Sequence, residues 1–301
     1  MSRSPFFYVG DKYKLMPQLK LLFPNDIKCY YEPFVGGGSS LINTVAKKYY
    51  ANDIDPYVIE LHKFISSYAK KRDKFFELIF SVIEKYGLCC TFKGYKVDPE
   101  LKNKYPKTYF AKINKEPYSK LRNDYNSSHE TILLYVLLIY GFNHMIRFNS
   151  SNLFNLPVGN VDFNKNVFQA LNDYFDFVID KKIVFFSKDF SQFLKYRKFS
   201  EDDFIYFDPP YLISLSEYNL LWNEKKEREL YKLLDRLDKR GIHWGITNLV
   251  SHKGKTNEIL KKWSKKYQVY AIKSNYISFN DNTIKADSKE VYVTNYGKSN
   301  I

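Results

Sequence analysis

The most chemically pointed stretch of the sequence is 204–211, F-I-Y-F-D-P-P-Y, where an apolar run meets a carboxylate, two prolines and a ring. Its first four residues are bulky and uncharged and read as a buried strand. Neither Pro209 nor Pro210 has an N–H to give a ladder, so the strand must stop at Asp208. That puts the carboxylate at the carboxyl end of a strand, where open α/β sheets bind their ligands. A fixed carboxylate, a proline carbonyl and the ring of Tyr211 suit the holding of a planar amine by its N–H groups. Other strand ends carry related groups. Residues 29–38 run from a strand into E-P-F-V-G-G-G, and the glycines let backbone approach a ligand where a helix over 39–47 begins. The third glycine of the dinucleotide fingerprint is missing, as is the G-K-[ST] of a phosphate loop. NAD and ATP are therefore disfavoured, and a nucleoside cofactor without a pyrophosphate fits better. The strand over 49–53 ends in acid, and both Asp53 and Asp55 are candidates for gripping ribose hydroxyls. Asp189 follows a further strand over 183–186. At the N-terminus, Gly10 and Lys12 in Y-V-G-D-K could bring backbone and ammonium to an anion; alone, this reads as an ordinary turn.

Presenting these ends takes an alternating β/α chain, and the sequence supplies one in two pieces. Pro56 opens a helix with Val58, Leu61, His62 and Ile65 on one side. The alternation stops between 73 and 160. Helices over 75–83 and 132–140 bracket a run in which Lys93, Lys96, Lys102, Lys104, Lys107, Lys112, Lys115, Lys120 and Arg122 interleave with tyrosines. This reads as an inserted, mainly helical module with a basic surface. Residues 141–159, G-F-N-H-M-I-R-F-N-S-S-N-L-F-N-L-P-V-G, read as a structured loop or hairpin. Arg147 in it could contact guanine bidentately in a major groove. His129 and His144 read as packing residues, and no metal-ligand spacing is present. After a helix over 161–178 the alternation resumes. A helix over 224–240 carries Leu230, Leu233, Leu234 and Leu237 on its core face, and strands follow at 242–247, 268–273 and 290–296. The polar stretch 274–289 reads as a mobile loop. The expected division is a catalytic domain in two parts, 1–72 and 161–301, around an insert at 73–160.

The 301 residues carry a formal charge of +14, an excess that attracts polyanions, nucleic acid above all. The 27 tyrosines and 25 phenylalanines set among those charges add a composition met in base-stacking proteins. No apolar run reaches membrane-spanning length. The N-terminus has no signal-peptide pattern. Three cysteines, Cys29, Cys89 and Cys90, are an odd number at no zinc spacing, which points to a reduced cytoplasm and a packing role.

Taken in order, these motifs resemble the Dam-type, D12 class family of DNA adenine-N6 methyltransferases over nearly the whole chain. Residues 8–12 resemble its N-terminal cofactor motif, with Asp11 where many relatives carry Gly. Residues 32–39 resemble its glycine loop, N-D-I at 52–54 its ribose acid, which favours Asp53 over Asp55, and 187–190 its motif near the cofactor adenine. Residues 142–159 resemble its target-recognition hairpin, 208–211 its D-P-P-Y and 290–296 its terminal strand. The resemblance implies a Rossmann-like α/β sheet of the S-adenosylmethionine-dependent type with an inserted DNA-recognition domain. It implies S-adenosylmethionine as donor, no metal, and an adenine flipped out of duplex DNA as acceptor. Catalysis would rest on Asp208, Pro209, Pro210 and Tyr211. Cofactor binding would rest on Tyr8, Gly10, Lys12, Pro33, Phe34, Gly36, Gly38, Asp53, Asp189, Phe190 and Asp208. DNA contacts would come from Phe142, Asn143, Met145, Arg147, Asn149, Asn155 and Pro157, with GATC or another GA-containing site as target. A monomer in the cytoplasm of a bacterial, archaeal or phage-infected cell is expected, with a restriction endonuclease as a candidate partner and no membrane. The rival readings are a methyltransferase acting on another planar amine, such as RNA adenine or cytosine N4, and a non-catalytic DNA-binding module.

Overall fold

The computed structural model describes residues 1–214, 222–273 and 288–297. The expected loop at 274–289 therefore falls almost wholly outside the described residues. Five parallel strands form the body of the sheet: β1 (Ile27–Glu32), β2 (Ala46–Asp53), β3 (Ile183–Ser187), β4 (Phe204–Phe207) and β5 (His243–His252). A two-residue strand, β6 (Lys255–Thr256), folds back on β5. β7 (Gln268–Ile272) and β8 (Lys289–Thr294) complete an order β3-β2-β1-β4-β5-β8-β7, with β8 antiparallel to both neighbours. This is a doubly wound sheet with one reversed strand wedged in near its edge.

Side-chain alternation sorts the sheet into two faces. Tyr30, Tyr49, Ala51, Phe204, Tyr206 and Tyr292 pack on one side. Tyr31, Ile205, Phe207, Trp244, Ile246, Val291 and Val293 pack on the other. Every residue of β4 is buried, as expected of a central strand covered on both faces.

The helices before the insert are α1 (Met16–Leu19), α2 (Ser39–Asn43) and α3 (Pro56–Ser67). The insert contributes α4 (Arg72–Tyr86), α5 (Pro99–Lys104), α6 (Tyr109–Ile113), α7 (Lys115–Ser128) and α8 (Thr131–Tyr140). Beyond it lie α9 (Lys165–Ile179), α10 (Phe190–Lys195), α11 (Glu224–Asp238) and α12 (Glu258–Trp263). The helix expected over 39–47 ends at Asn43, because Thr44 turns extended and Ala46 already pairs with Ile27 in β2. The helix expected from 161 starts at Lys165, where the Asn164 side chain caps the N–H groups of Asn166 and Val167. On α11, Tyr231 is buried with Leu230, Leu234 and Leu237, while Leu233 packs only at the margin.

α8 is apolar all round and buried from Ile132 to Tyr140, so it forms the axis of the insert. Its core is continuous with Val58, Leu61 and Ile65 of α3 and with Val167 and Leu171 of α9. Tyr109, Tyr118 and Tyr125 are core residues of this insert, not surface rings waiting for bases. Among the described residues no helix is long and apolar enough to cross a membrane.

Candidate active site

The carboxyl ends of β1, β2 and β4 bring the glycine loop, Asp53 and Asp208 to one crevice. Asp208 leaves β4 with its side chain 17% exposed and three polar groups around it. Lys12 Nζ lies 2.8 Å from Oδ2. Thr247 Oγ1, on the neighbouring β5, donates to Oδ1 at 2.9 Å, and the Tyr211 hydroxyl lies 3.2 Å from the same oxygen. The one proton of that hydroxyl goes to Glu290 Oε1, the shorter contact at 2.6 Å. The reversed strand β8 thus reaches into the site to anchor the ring of the D-P-P-Y turn. Tyr206 backs up Thr247 across the sheet at 2.9 Å.

The N-terminal turn proves to be part of this site. Gly10 sits at φ +78°, Asp11 accepts the N–H of Tyr13 to close an Asx turn, and Lys12 bonds the Gly10 carbonyl at 3.0 Å. Lys12 is 6% exposed, and its ammonium lies over the Tyr211 ring at 5.0 Å as well as against Asp208. The lysine expected at the cofactor is therefore found on the D-P-P-Y carboxylate.

The glycine loop is held from both sides. Asp53 Oδ2 accepts the Gly36 N–H at 2.9 Å, and Oδ1 accepts the Asp55 N–H at 3.0 Å. Asp55 caps α3 through the Tyr57 N–H, so Asp53 is the acid joined to the loop and Asp55 the cap. Burial pushes the Asp53 carboxyl up to about 6 against those two bonds. Asn52 ties three strand ends together, donating to the Pro33 carbonyl at 3.0 Å and the Lys188 carbonyl at 2.8 Å. Behind the loop, the buried His62 bonds the Gly36 carbonyl at 2.9 Å and the Tyr174 hydroxyl at 2.8 Å. Burial lowers His62 to about 4, so it stays neutral at neutral pH. Gly38, at φ +79°, faces this ring: a Cβ there would stand 2.9 Å from His62 Cε1. Tyr8 covers the other side, its Cβ 2.8 Å from where a Gly37 Cβ would fall. Glu32, at the end of β1, is fully buried with Oε2 unpartnered. Burial, and then the charges of Asp208 and Asp53, push its carboxyl well above the usual range.

Asp189 caps α10 through the Ser191 N–H at 2.9 Å and pairs with Lys226 at 3.0 Å. Burial opposes its ionisation, but the Ser191 and Lys226 contacts prevail and hold it below the usual carboxylate range. Phe190 is buried in a cluster with Phe34 at 5.4 Å and Trp222 at 5.9 Å, ring centre to ring centre.

The segment 141–159 is a hairpin. Gly141 pairs with Val158 and Phe148 with Phe154. Phe142 N–H donates to the Pro157 carbonyl at 2.9 Å. Two glycines let its legs cross: a Cβ on Gly159 would lie 2.6 Å from the Gly141 carbonyl oxygen. Phe142 is 40% exposed and is followed by two left-handed residues, Asn143 and His144, at φ +53° and +49°. Arg147 is laid along the opposite leg, Nε donating to Asn155 Oδ1 at 2.9 Å and Nη2 to the Asn155 carbonyl at 3.0 Å. Asn149 Oδ1 accepts from Ser151 and Leu153 and shapes the tip. Phe148 stacks on Tyr57 of α3 at 4.4 Å, which seats the hairpin on that helix. Pro157 is exposed and Met145 partly so.

Sequence reasoning missed Thr247, Glu290 and His62 as site residues, and passed over Glu32 within a motif it quoted. A threonine at the carboxyl end of the strand I-H-W-G-I-T over 242–247 was the available signal for Thr247. For Glu290 there was none beyond its place at the start of the last strand.

An α/β sheet with a glycine loop, an acid on that loop and a D-P-P-Y turn at its crevice is the equipment of a group-transfer enzyme that uses a nucleoside cofactor. The sequence model of D12 class N6 adenine-specific DNA methyltransferases matches residues 8–277, and the chain belongs to that family. It is 32% identical to the type II methyltransferase M.FokI of Planomicrobium okeanokoites, over 98% of this chain and 43% of that protein. It is 31% identical to the modification methylase StsI of Streptococcus sanguinis, again over 98% and 43%. A DNA adenine methylase of Haemophilus influenzae is 27% identical over 73% of this chain and 68% of its own length. The chain thus spans less than half the length of the first two relatives. Family membership implies S-adenosylmethionine as methyl donor.

Proposed function

We propose that the chain is a site-specific DNA adenine-N6 methyltransferase, acting on an adenine turned out of duplex DNA at GATC or a related GA-containing site. The observation that carries this reading is the setting of Asp208: a strand-end carboxylate, followed by a rigid Pro-Pro turn, with partners on three sides. A carboxylate offers about four acceptor positions. Among the described residues Lys12 and Thr247 fill two, and the Tyr211 hydroxyl, whose proton goes to Glu290, stands 3.2 Å from Oδ1, which leaves room for an N–H of an exocyclic amine. The Pro209 carbonyl is the natural acceptor for the second. Held by both, the nitrogen is drawn from planarity and its lone pair is freed from the ring. Alignment and electrostatics are then the protein's contribution. Tyr211, locked through Glu290, offers its face to the base. Lys12 keeps a positive charge on Asp208 in a crevice that also contains Glu32 and Asp53.

The residues present fit S-adenosylmethionine. Bound, it supplies an electrophilic methyl on a good leaving group. The glycine loop allows close backbone approach, Asp53 has acceptor capacity for ribose hydroxyls, and Tyr8 borders the loop. Phe34, Phe190 and Trp222 offer an aromatic surface to the cofactor adenine. Phe34 and Phe190 touch each other, so a purine lies against this cluster unless the rings part. The Phe142–Pro157 hairpin reads the site, with Arg147 and Pro157 beside the guanine preceding the target and Phe142 poised to fill the gap left by the flipped base. The names of M.FokI and StsI support a role beside a restriction endonuclease of the same specificity.

Labelled S-adenosylmethionine offered with separate duplex DNA, RNA and protein acceptors tests the reading. Label in N6-methyladenine of duplex DNA is the expected outcome. Label only in RNA, or in cytosine, overturns it.

A further inference from the structure

A second buried carboxylate, away from Asp208, gathers four neutral donors. Glu227 of α11 is 0% exposed. Its Oε2 accepts from Trp222 Nε1 at 2.6 Å. Its Oε1 accepts from Asn248 Nδ2 at 3.0 Å, Asn257 Nδ2 at 2.9 Å and the Tyr231 hydroxyl. These donors come from the approach to α11, from β5, from the cap of α12 and from α11 itself. Burying a carboxylate among neutral groups is costly, and apolar packing would join the same elements for less. Three of the donors share one oxygen; among the described residues the other oxygen accepts from the indole alone.

That indole belongs to the ring cluster of Phe34, Phe190 and Trp222. Trp222 meets Phe34 edge-on at 5.6 Å and Phe190 at 5.9 Å. Phe34 belongs to the loop and Phe190 follows Asp189, so Trp222 closes the cluster from the side of α11. A flat ring with one N–H can swing about its Cα–Cβ bond unless that N–H is fixed. Glu227 fixes it. The hub is also joined to the catalytic carboxylate through the backbone of β5, where Thr247 serves Asp208 and the next residue, Asn248, serves Glu227.

We propose that Glu227 is a positioning residue for the cofactor: by accepting the Trp222 indole N–H it holds that ring as a wall of the pocket for the adenine of S-adenosylmethionine. This rests on the cofactor reading above. The test is calorimetric titration of S-adenosylmethionine into the full chain, as wild type, Glu227→Gln, Trp222→Phe and the double variant, with kcat measured at saturating cofactor and DNA. Glu227→Gln keeps the shape but turns an N–H₂ toward a donor. It is expected to weaken cofactor binding about tenfold, a typical loss for one buried hydrogen bond, with kcat held within a few-fold. Trp222→Phe, which keeps a ring and removes the N–H, is expected to weaken binding similarly. The double variant is expected to bind no worse than Trp222→Phe, because Glu227 acts through the indole. Additive losses, or unchanged affinity in Glu227→Gln, overturn the proposal while leaving the functional reading intact. A wild-type chain that binds no S-adenosylmethionine sinks the functional reading, and the proposal with it.

Discussion

Asp208 draws its partners from far along the chain, Lys12 from the N-terminal turn and Thr247 from the next strand. Arg147 is bonded to Asn155, eight residues on and within the same hairpin. The first arrangement exists only when the sheet is assembled. The second is made by a turn, two crossing glycines and the stacking of Phe148 on Tyr57. On the proposed reading, chemistry would be tied to the scaffold and sequence reading to a hairpin closed largely within itself. A change at the strand ends is expected to cost rate without altering the preferred site. A change in the hairpin is expected to alter the preferred site with little cost in rate at the best one.

The largest effect should come from Asp208→Ala: single-turnover methyl transfer is expected to fall by about 10²–10³-fold or more while DNA binding, followed by gel shift, stays within a few-fold. Full activity in that variant would remove Asp208 from the chemistry. Arg147→Ala should lose about 1–3 kcal/mol of discrimination at a single base pair. An equal loss on every duplex would reassign the guanidinium to phosphate. Thr247→Val deletes one donor to Asp208 and should lower kcat about tenfold, with cofactor affinity unchanged. A change in affinity instead would place Thr247 with the cofactor. The smallest effect is one of pH. Burial raises Asp53 to about 6, so its carboxyl is neutral below that value and ionised above it. Ribose hydroxyls donate more strongly to the anion, so S-adenosylmethionine affinity should rise several-fold as pH passes upward through about 6. In Asp53→Asn that slope should disappear; its persistence would assign the titration elsewhere.

Much of this was legible in the sequence because it is local. The strand at 204–207 lies where its apolar run and the prolines put it. The apolar helix at 132–140 needed only one added residue, Thr131, and the hairpin closes between the glycines that bracket it. Element ends set by tertiary pairing were less legible: nothing near Thr44 announces that β2 begins at Ala46, because its partner is Ile27. The supports of the site were hidden for the same reason. Lys12 and Asp208 were each named as site residues, but they stand far apart in the chain and their pairing appears only in the folded sheet. Glu290 looks like one more strand residue until β8 is wedged between β5 and β7. Composition did not say which way the insert tyrosines face; Tyr109, Tyr118 and Tyr125 are buried, and only the fold reports that.

The wedged strand has a bearing on synthesis. Translation delivers the D-P-P-Y turn some eighty residues ahead of the glutamate that steadies its tyrosine, and β7 emerges before the neighbour that joins it to β5. A nascent chain therefore carries most of its reactive groups while the ring beside them is still unmoored. Only once β8 has been made can it pair between β5 and β7 and bring Glu290 to the ring.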